Sequence, residues 1–167
     1  GRGATVGLDQ NWFAYSAEPE LSEHDEGTAV FEAAKIHPEV LGIFTENQEL
    51  MHNLVYNKLV MRTELGYHRK VPFLHGFMAN EYANTFSGTE GYDEGFNCTQ
   101  LFISSDILDS LSTEIERARK GTSVFINTKG FFFGEHCPED VDEVESAVKR
   151  AREAISSGAI VSYSAWY

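Results

Sequence analysis

The clearest pattern along the chain is an apolar stripe near its C-terminus, whose members recur at spacings of three and four residues. The stripe consists of Val141, Val144, Val148, Ala151 and Ile155. This periodicity predicts a helix that buries one face. Acidic residues begin the helix and basic residues lie near its end, which complements the helix dipole, and Gly158 ends it.

A second helix is predicted after Ser104 or Ser105, either of which is a suitable N-cap. Its core face consists of Ile107, Leu108, Leu111 and Ile115. Gly121 is predicted to break this helix.

Helical spacing also begins at Tyr67, although the segment contains a proline. The stripe there consists of Tyr67, Val71, Leu74, Met78 and Tyr82. Pro72 either occupies the first turn, where its missing N–H costs nothing, or kinks the helix. Residues 29–36, AVFEAAKI, form a shorter helical pattern that Pro38 stops.

Strands are predicted where apolar and polar residues alternate or where β-branched and aromatic residues gather. These segments are residues 6–15, residues 59–65, a strand beginning with SVFIN at Ser123, and residues 160–167. In the second segment Met61 and Leu65 face one way, Arg62 and Glu64 face the other, and Gly66 ends the strand. Residues 84–95 are predicted to be a loop. The order of elements predicts a single α+β domain over residues 1–167, with a mixed or antiparallel sheet and about three helices packed on it.

Three consecutive phenylalanines lie between two glycines in GFFFG, residues 130–134. Successive side chains of a strand point to opposite faces, so Phe132 would oppose its two neighbours. The segment is therefore a strand covered on both faces, or it offers one ring to a partner. Core packing is the favoured interpretation, and Phe132 is retained as a candidate ligand-binding residue.

Charge excludes some function classes. The net charge is −13, and residues 18–49 contain nine acidic residues against one basic residue, Lys35. Binding to nucleic acid or to an anionic membrane is therefore not expected. We interpret residues 16–57 as an acidic, partly irregular insertion, in preference to a surface that imitates nucleic acid. A local basic cluster contrasts with this background and consists of Lys58, Arg62, Arg69 and Lys70.

Motifs for common chemistry are missing. The six histidines occur without HExxH or CxxC, and there is no GxSxG, dinucleotide or kinase signature, so neither a metal nor a cofactor is predicted. Two cysteines are too few for a disulfide framework, which favours a reducing cytoplasm. No apolar run approaches the roughly 20 residues that span a bilayer.

Several short motifs occur in one order along the chain. They are GLDQNWFAY at residues 7–15, YHRKVPFLHGF at residues 67–77, Asn97-Cys98, GFFFG, and YSAW at residues 163–166. In this order they resemble a family of small proteins encoded by tailed bacteriophages and some bacteria. The resemblance covers most of residues 7–15 and 58–167, and Pro72 and Gly76 replace residues that usually favour helix. It implies a source and a topology, and it implies no reaction.

The polar positions within these motifs are the candidate site residues. They are Asp9, Tyr67, Arg69, Lys70, His75, Asn97 and Cys98. Cys98 and His75 would be a nucleophile and its base if they met in space, although structural roles are favoured for both. Arg69 and Lys70 would bind an anion at a helix start, or Arg69 would pair with Asp9 if the first two strands are neighbours. We favour the ion pair.

These observations predict a phage-encoded accessory protein of the host cytoplasm that binds a host protein or a small ligand without catalysis. A small hydrolase or transferase with a Cys/His/Arg site is the first alternative, and a virion-associated structural protein is the second. Trp166 and Tyr167 are expected to dock in the core or to form a contact in a homo-oligomer, since two terminal aromatic residues are seldom left loose.

Overall fold

Four antiparallel strands form one sheet in the computed structural model of the protein, which describes residues 7–93, 95–125 and 138–167. The strands are β1 (Asp9–Ala17), β2 (Val60–Arg69), β3 (Leu101–Ile103) and β4 (Ile160–Trp166), in the spatial order β2-β1-β4-β3. The α-helices in the described residues are α1 (Asp25–Ile36), α2 (Glu46–Tyr56), α3 (Pro72–Phe86), α4 (Ser105–Arg119) and α5 (Pro138–Ser156). The predicted α+β class is confirmed, with five helices in place of about three. GFFFG, including Phe132, lies outside the described residues.

The main core lies between one face of the sheet and α3, α4 and α5. Trp12 of β1 and Tyr163 of β4 are fully buried on this face. The predicted stripes of α4 and α5 are confirmed, because Leu108, Leu111 and Ile115 and also Val141, Val144, Val148 and Ala151 are buried. The positive φ of Gly121 and Gly158, +73° and +91°, suits the turns that follow these two helices.

Among the described residues, the opposite face of the sheet is covered at one end only. There Tyr15, Phe102 and Ile160 form a smaller core with the helices of residues 16–57. Two short 3₁₀ helices, Pro19–Glu23 and Pro38–Leu41, connect α1 and α2 to the rest of the chain. The acidic side chains of this segment point outwards, with Glu18 half-buried and the others exposed.

The boundary between β2 and α3 differs from the prediction. The strand does not end at Gly66 but continues to Arg69, so Tyr67 is a strand residue and is 46% exposed. Helix α3 begins at Pro72, whose missing N–H is harmless in the first turn. Gly66 lies opposite Trp12 beside an irregularity in the β1–β2 register, where an added Cβ would lie 3.4 Å from the Ala147 Cβ. Gly66 therefore does not end β2. Its missing side chain lets α5 pack closely on the strand.

Three further segments differ from the pattern in the sequence. Met61 is apolar but 48% exposed, because β2 is an edge strand that the described residues cover little at this end. Strand β3 was missed because only three residues form it. Residues 123–125 of the predicted SVFIN strand form no strand, and the rest of that segment lies outside the described residues.

We expect Ser104→Ala to lower the free energy of unfolding by about 1 kcal/mol, because it removes the N-cap of α4. The Ser104 hydroxyl oxygen accepts a hydrogen bond from the Ile107 backbone N–H at 3.3 Å. Ser105→Ala is the matched control, since Ser105 is an exposed first-turn residue. Urea denaturation of both variants measures the difference, and equal midpoints would contradict the assignment of the cap.

Candidate functional site

Asp9 and Arg69 lie side by side at one end of the sheet, where β1 begins and β2 ends. The antiparallel register places Asp9 opposite both Arg69 and Trp166. The Arg69 guanidinium lies 3.9 Å from the Asp9 carboxylate, so the ion pair favoured from the sequence is present. The Tyr67 hydroxyl donates a hydrogen bond to the same carboxylate, which raises the pKa of Tyr67. Three candidate residues therefore meet on the surface of the sheet.

These residues belong to the half of the sheet face that α1 and α2 leave uncovered. We call this surface the open face; its residues are Asp9, Asn11, Phe13, Arg62, Glu64, Tyr67, Arg69, Ser164 and Trp166. Trp166 is 69% exposed, and the Arg62 guanidinium lies 4.6 Å from the centre of the Phe13 ring. Two arginines and two carboxylates leave the open face without net charge, in a chain whose net charge is −13. It thus combines exposed rings with mixed polar groups.

Asn97 and Cys98 tie the loop before β3 to the end of β4. The Asn97 side-chain oxygen accepts a hydrogen bond from the Tyr167 backbone N–H at 2.9 Å. The Cys98 backbone N–H donates to the Ala165 carbonyl at 2.8 Å. The Cys98 thiol is exposed and lies 3.5 Å from the Asn97 side-chain oxygen. Both residues therefore hold the chain terminus in place.

The backbone of this region is strained at three non-glycine positions. Lys70, Phe96 and Cys98 have φ values of +57°, +51° and +61°. Such conformations each cost on the order of 1 kcal/mol and persist only where the surroundings impose them. At Lys70 the backbone N–H donates to the Leu8 carbonyl, which fixes the turn between β2 and α3. The sequence does not reveal this strain, since none of the three residues is glycine.

His75 is a core residue and not a surface base. It is 1% exposed and stacks on Phe96, and its ring lies 4.8 Å from that of Tyr167. Burial lowers the pKa of His75 to about 4. The Tyr163 hydroxyl lies 3.1 Å from its Nδ1. The same hydroxyl accepts a hydrogen bond from the Gln10 side-chain nitrogen at 3.0 Å.

The His75 imidazole is enclosed in the core, whereas the Cys98 thiol is exposed. Each has its own contacts: the thiol faces the Asn97 side chain, and the imidazole faces Tyr163. Arg69, the third member of the alternative enzymatic site, pairs with Asp9 on the open face. The structure thus places the three residues in different surroundings: a core, an exposed loop and the open face.

A partly buried chain of hydrogen bonds that the sequence did not predict joins β1, β2 and α5. The Trp12 indole N–H donates to His68 Nε2 at 2.8 Å, and His68 Nδ1 lies 2.6 Å from the Glu143 carboxylate. An indole N–H only donates, so Nδ1 carries the imidazole proton and donates to Glu143. Burial is the main cause of the lowered pKa of His68. Glu143 is 75 residues from His68 in sequence, and no motif links them.

The described residues contain no group of three or more His, Cys, Asp or Glu side chains placed to hold a metal ion. None of the helices in these residues is both long enough and apolar enough to cross a membrane. Exposed aromatic rings and charged side chains occur together on the open face. Comparison with protein-family models, curated proteins and solved structures found no match for this chain. The resemblance to a phage protein family therefore stays a prediction.

Proposed function

We propose that this chain is a phage-encoded accessory protein of the host cytoplasm, and that its open face binds a host protein without catalysis. The observation that carries the proposal is the exposure of both Trp166 and Tyr67 on a sheet surface that α1 and α2 leave uncovered. Trp, Tyr and Arg are the residues that most often dominate the affinity of protein interfaces. The open face offers Trp166, Tyr67 and two arginines.

The shape of the open face favours a protein over a small ligand. Small molecules usually bind in concave sites that enclose most of their surface. The open face instead extends across three neighbouring strands, β2, β1 and β4. A partner would lay an apolar surface on Trp166 and Phe13 and place carboxylates opposite Arg62 and Arg69.

We expect Trp166→Ala to weaken partner binding by about 30-fold or more, the effect of losing a central interface residue. The change should leave the free energy of unfolding within about 0.5 kcal/mol of wild type, because the side chain is largely exposed. Tyr56→Ala is the matched control, since Tyr56 is 80% exposed on α2 and is not one of the open-face residues. Tagged protein captures the partner from a bacterial host lysate, and calorimetric titration then compares the variants.

Two results would overturn this proposal. One is a captured partner that binds wild type and Trp166→Ala with equal affinity. The other is light scattering that shows a dimer of the isolated protein that Trp166→Ala dissociates, because a second copy of the chain would then occupy the open face.

A further inference from the structure

A cleft lies at the opposite edge of the sheet from β2, where β3 meets α3, α4 and the 3₁₀ helix Pro38–Leu41. Its volume is about 250 Å³. Phe86, Phe102 and Ile107 provide apolar wall, while Glu39 and Glu81 bring carboxylates to it from separate elements. The cleft shares no residue with the open face. It is therefore a separate site in the fold.

The cleft carries negative charge. None of the described residues that line it is basic. Glu81 is half-buried on α3, and within the described part of the chain no Lys or Arg side chain forms an ion pair with it. Burial is the cause of the raised pKa of Glu81. A carboxylate that has lost part of its hydration without gaining a counterion is costly to the fold, so a cation that enters the cleft recovers this free energy.

The remaining polar groups of the cleft are largely occupied within the protein. The Ser104 hydroxyl caps α4, and the Gln100 side-chain oxygen accepts hydrogen bonds from Tyr15 and Ser162. Glu39 lies 3.3 Å from His37 Nδ1, with 57% of its side chain exposed. Glu81 is thus the group of the cleft best placed to select a ligand by charge.

We propose that this cleft binds a small organic ammonium ion with an apolar body, and that Glu81 is its counterion. A charge-assisted hydrogen bond from the ammonium group to Glu81 would be about twice as strong as a neutral one. The faces of Phe86 and Phe102 suit either the apolar body or the cation itself. A volume of about 250 Å³ fits a single-ring molecule and not a larger ligand. The proposal does not depend on the function of the open face.

Three probes of similar size and different charge test the proposal. They are 2-phenylethylamine, 2-phenylethanol and 3-phenylpropanoate, titrated at pH 7 into the full chain and followed by amide chemical shifts in ¹H–¹⁵N spectra. We expect the amine to bind at millimolar concentration or below and to shift the amides of the residues that line the cleft. The alcohol should bind about tenfold more weakly, and the carboxylate should not bind.

Glu81→Gln tests the counterion directly, because the substitution keeps the shape of the side chain and removes its charge. We expect it to lower the affinity for the amine about tenfold while leaving the affinity for the alcohol unchanged. Glu153→Gln is the control, since it removes one exposed carboxylate of α5 and leaves the cleft intact. Equal binding of the three probes by wild type would overturn the proposal even if Glu81→Gln failed to fold. So would an absence of amine binding at about 10 mM, or an unchanged affinity in Glu81→Gln.

Discussion

Removal of residues 163–167 is expected to abolish soluble expression. Strand β4 is an interior strand, and the deletion takes away the residues that pair with the first half of β1 and with Leu101 of β3. It also removes Tyr163, which is fully buried and forms the hydrogen bonds with Gln10 and His75. Loss of one large core side chain costs about 3–5 kcal/mol, and a domain is stable by only about 5–15 kcal/mol.

Deletion of residues 166–167 alone is the matched control for this truncation. Trp166 is 69% exposed, and Tyr167 contributes a ring contact to His75 and a backbone hydrogen bond to Asn97. We expect this shorter deletion to give a folded protein with a lower melting temperature. Soluble yield and far-UV circular dichroism compare the two deletions. A folded protein that lacks residues 163–167 would show that β4 is dispensable.

Periodicity predicted α4 and α5 correctly because each helix packs only one face on the core. Their exposed faces carry charged residues, including Arg119, which bonds to Glu116, Asp142 and Glu145. Strand β4 was also found, although Ile160, Val161, Ser162 and Tyr163 are all buried. The alternation of Ile160, Ser162 and Ser164 with Val161, Tyr163 and Ala165 indicated the strand, although both sets are largely buried and only Ser164 and Trp166 are partly or fully exposed.

The junction of β2 and α3 shows where the spacing of apolar residues fails to predict secondary structure. The four-residue spacing of Tyr67 and Val71 is a coincidence. Tyr67 lies in β2, Val71 immediately precedes α3, and a turn separates the two elements. That turn depends on Gln10, whose side-chain oxygen accepts the Val71 N–H and whose nitrogen donates to the Val71 carbonyl. A contact across 61 residues is invisible to a local pattern.

The sequence predicted only part of the candidate site, because the site also depends on contacts between residues that are distant along the chain. The pairing of Asp9 with Arg69 followed from two strands assumed to be neighbours, and this assumption was correct. The open face was not foreseen, because it exists only where α1 and α2 stop covering the sheet. His75 was identified as a candidate, but sequence alone did not show that Phe96, Tyr163 and Tyr167 surround it.

The free energy of unfolding is expected to fall by about 3 kcal/mol through His75 alone as the pH is lowered from 7 to 4. The pKa of this imidazole is 6.5 in the unfolded chain and about 4 in the folded protein, because burial opposes its charge. Between these two values the unfolded state binds the additional proton, so acid favours unfolding. The stabilisation is complete above pH 6.5 and is lost as the pH falls to about 4.

Other groups contribute to the same pH range, so the test compares variants. The pKa of His68 is also lowered by burial and acts in the same direction, whereas the raised pKa of Glu81 acts in the opposite direction. His75→Gln stays neutral at every pH, and we expect its free energy of unfolding to depend on pH by about 3 kcal/mol less than wild type over this range. His52→Gln, which removes an exposed histidine of α2, is the control.

Urea denaturation at pH 7, 5.5 and 4 measures all three proteins. The readout is how steeply the free energy of unfolding changes with pH. This slope reports the charge of the imidazole even if His75→Gln is less stable than wild type at every pH. Parallel curves for wild type and His75→Gln would show that His75 takes up its proton equally easily in the folded and unfolded states, which a fully enclosed imidazole does not allow.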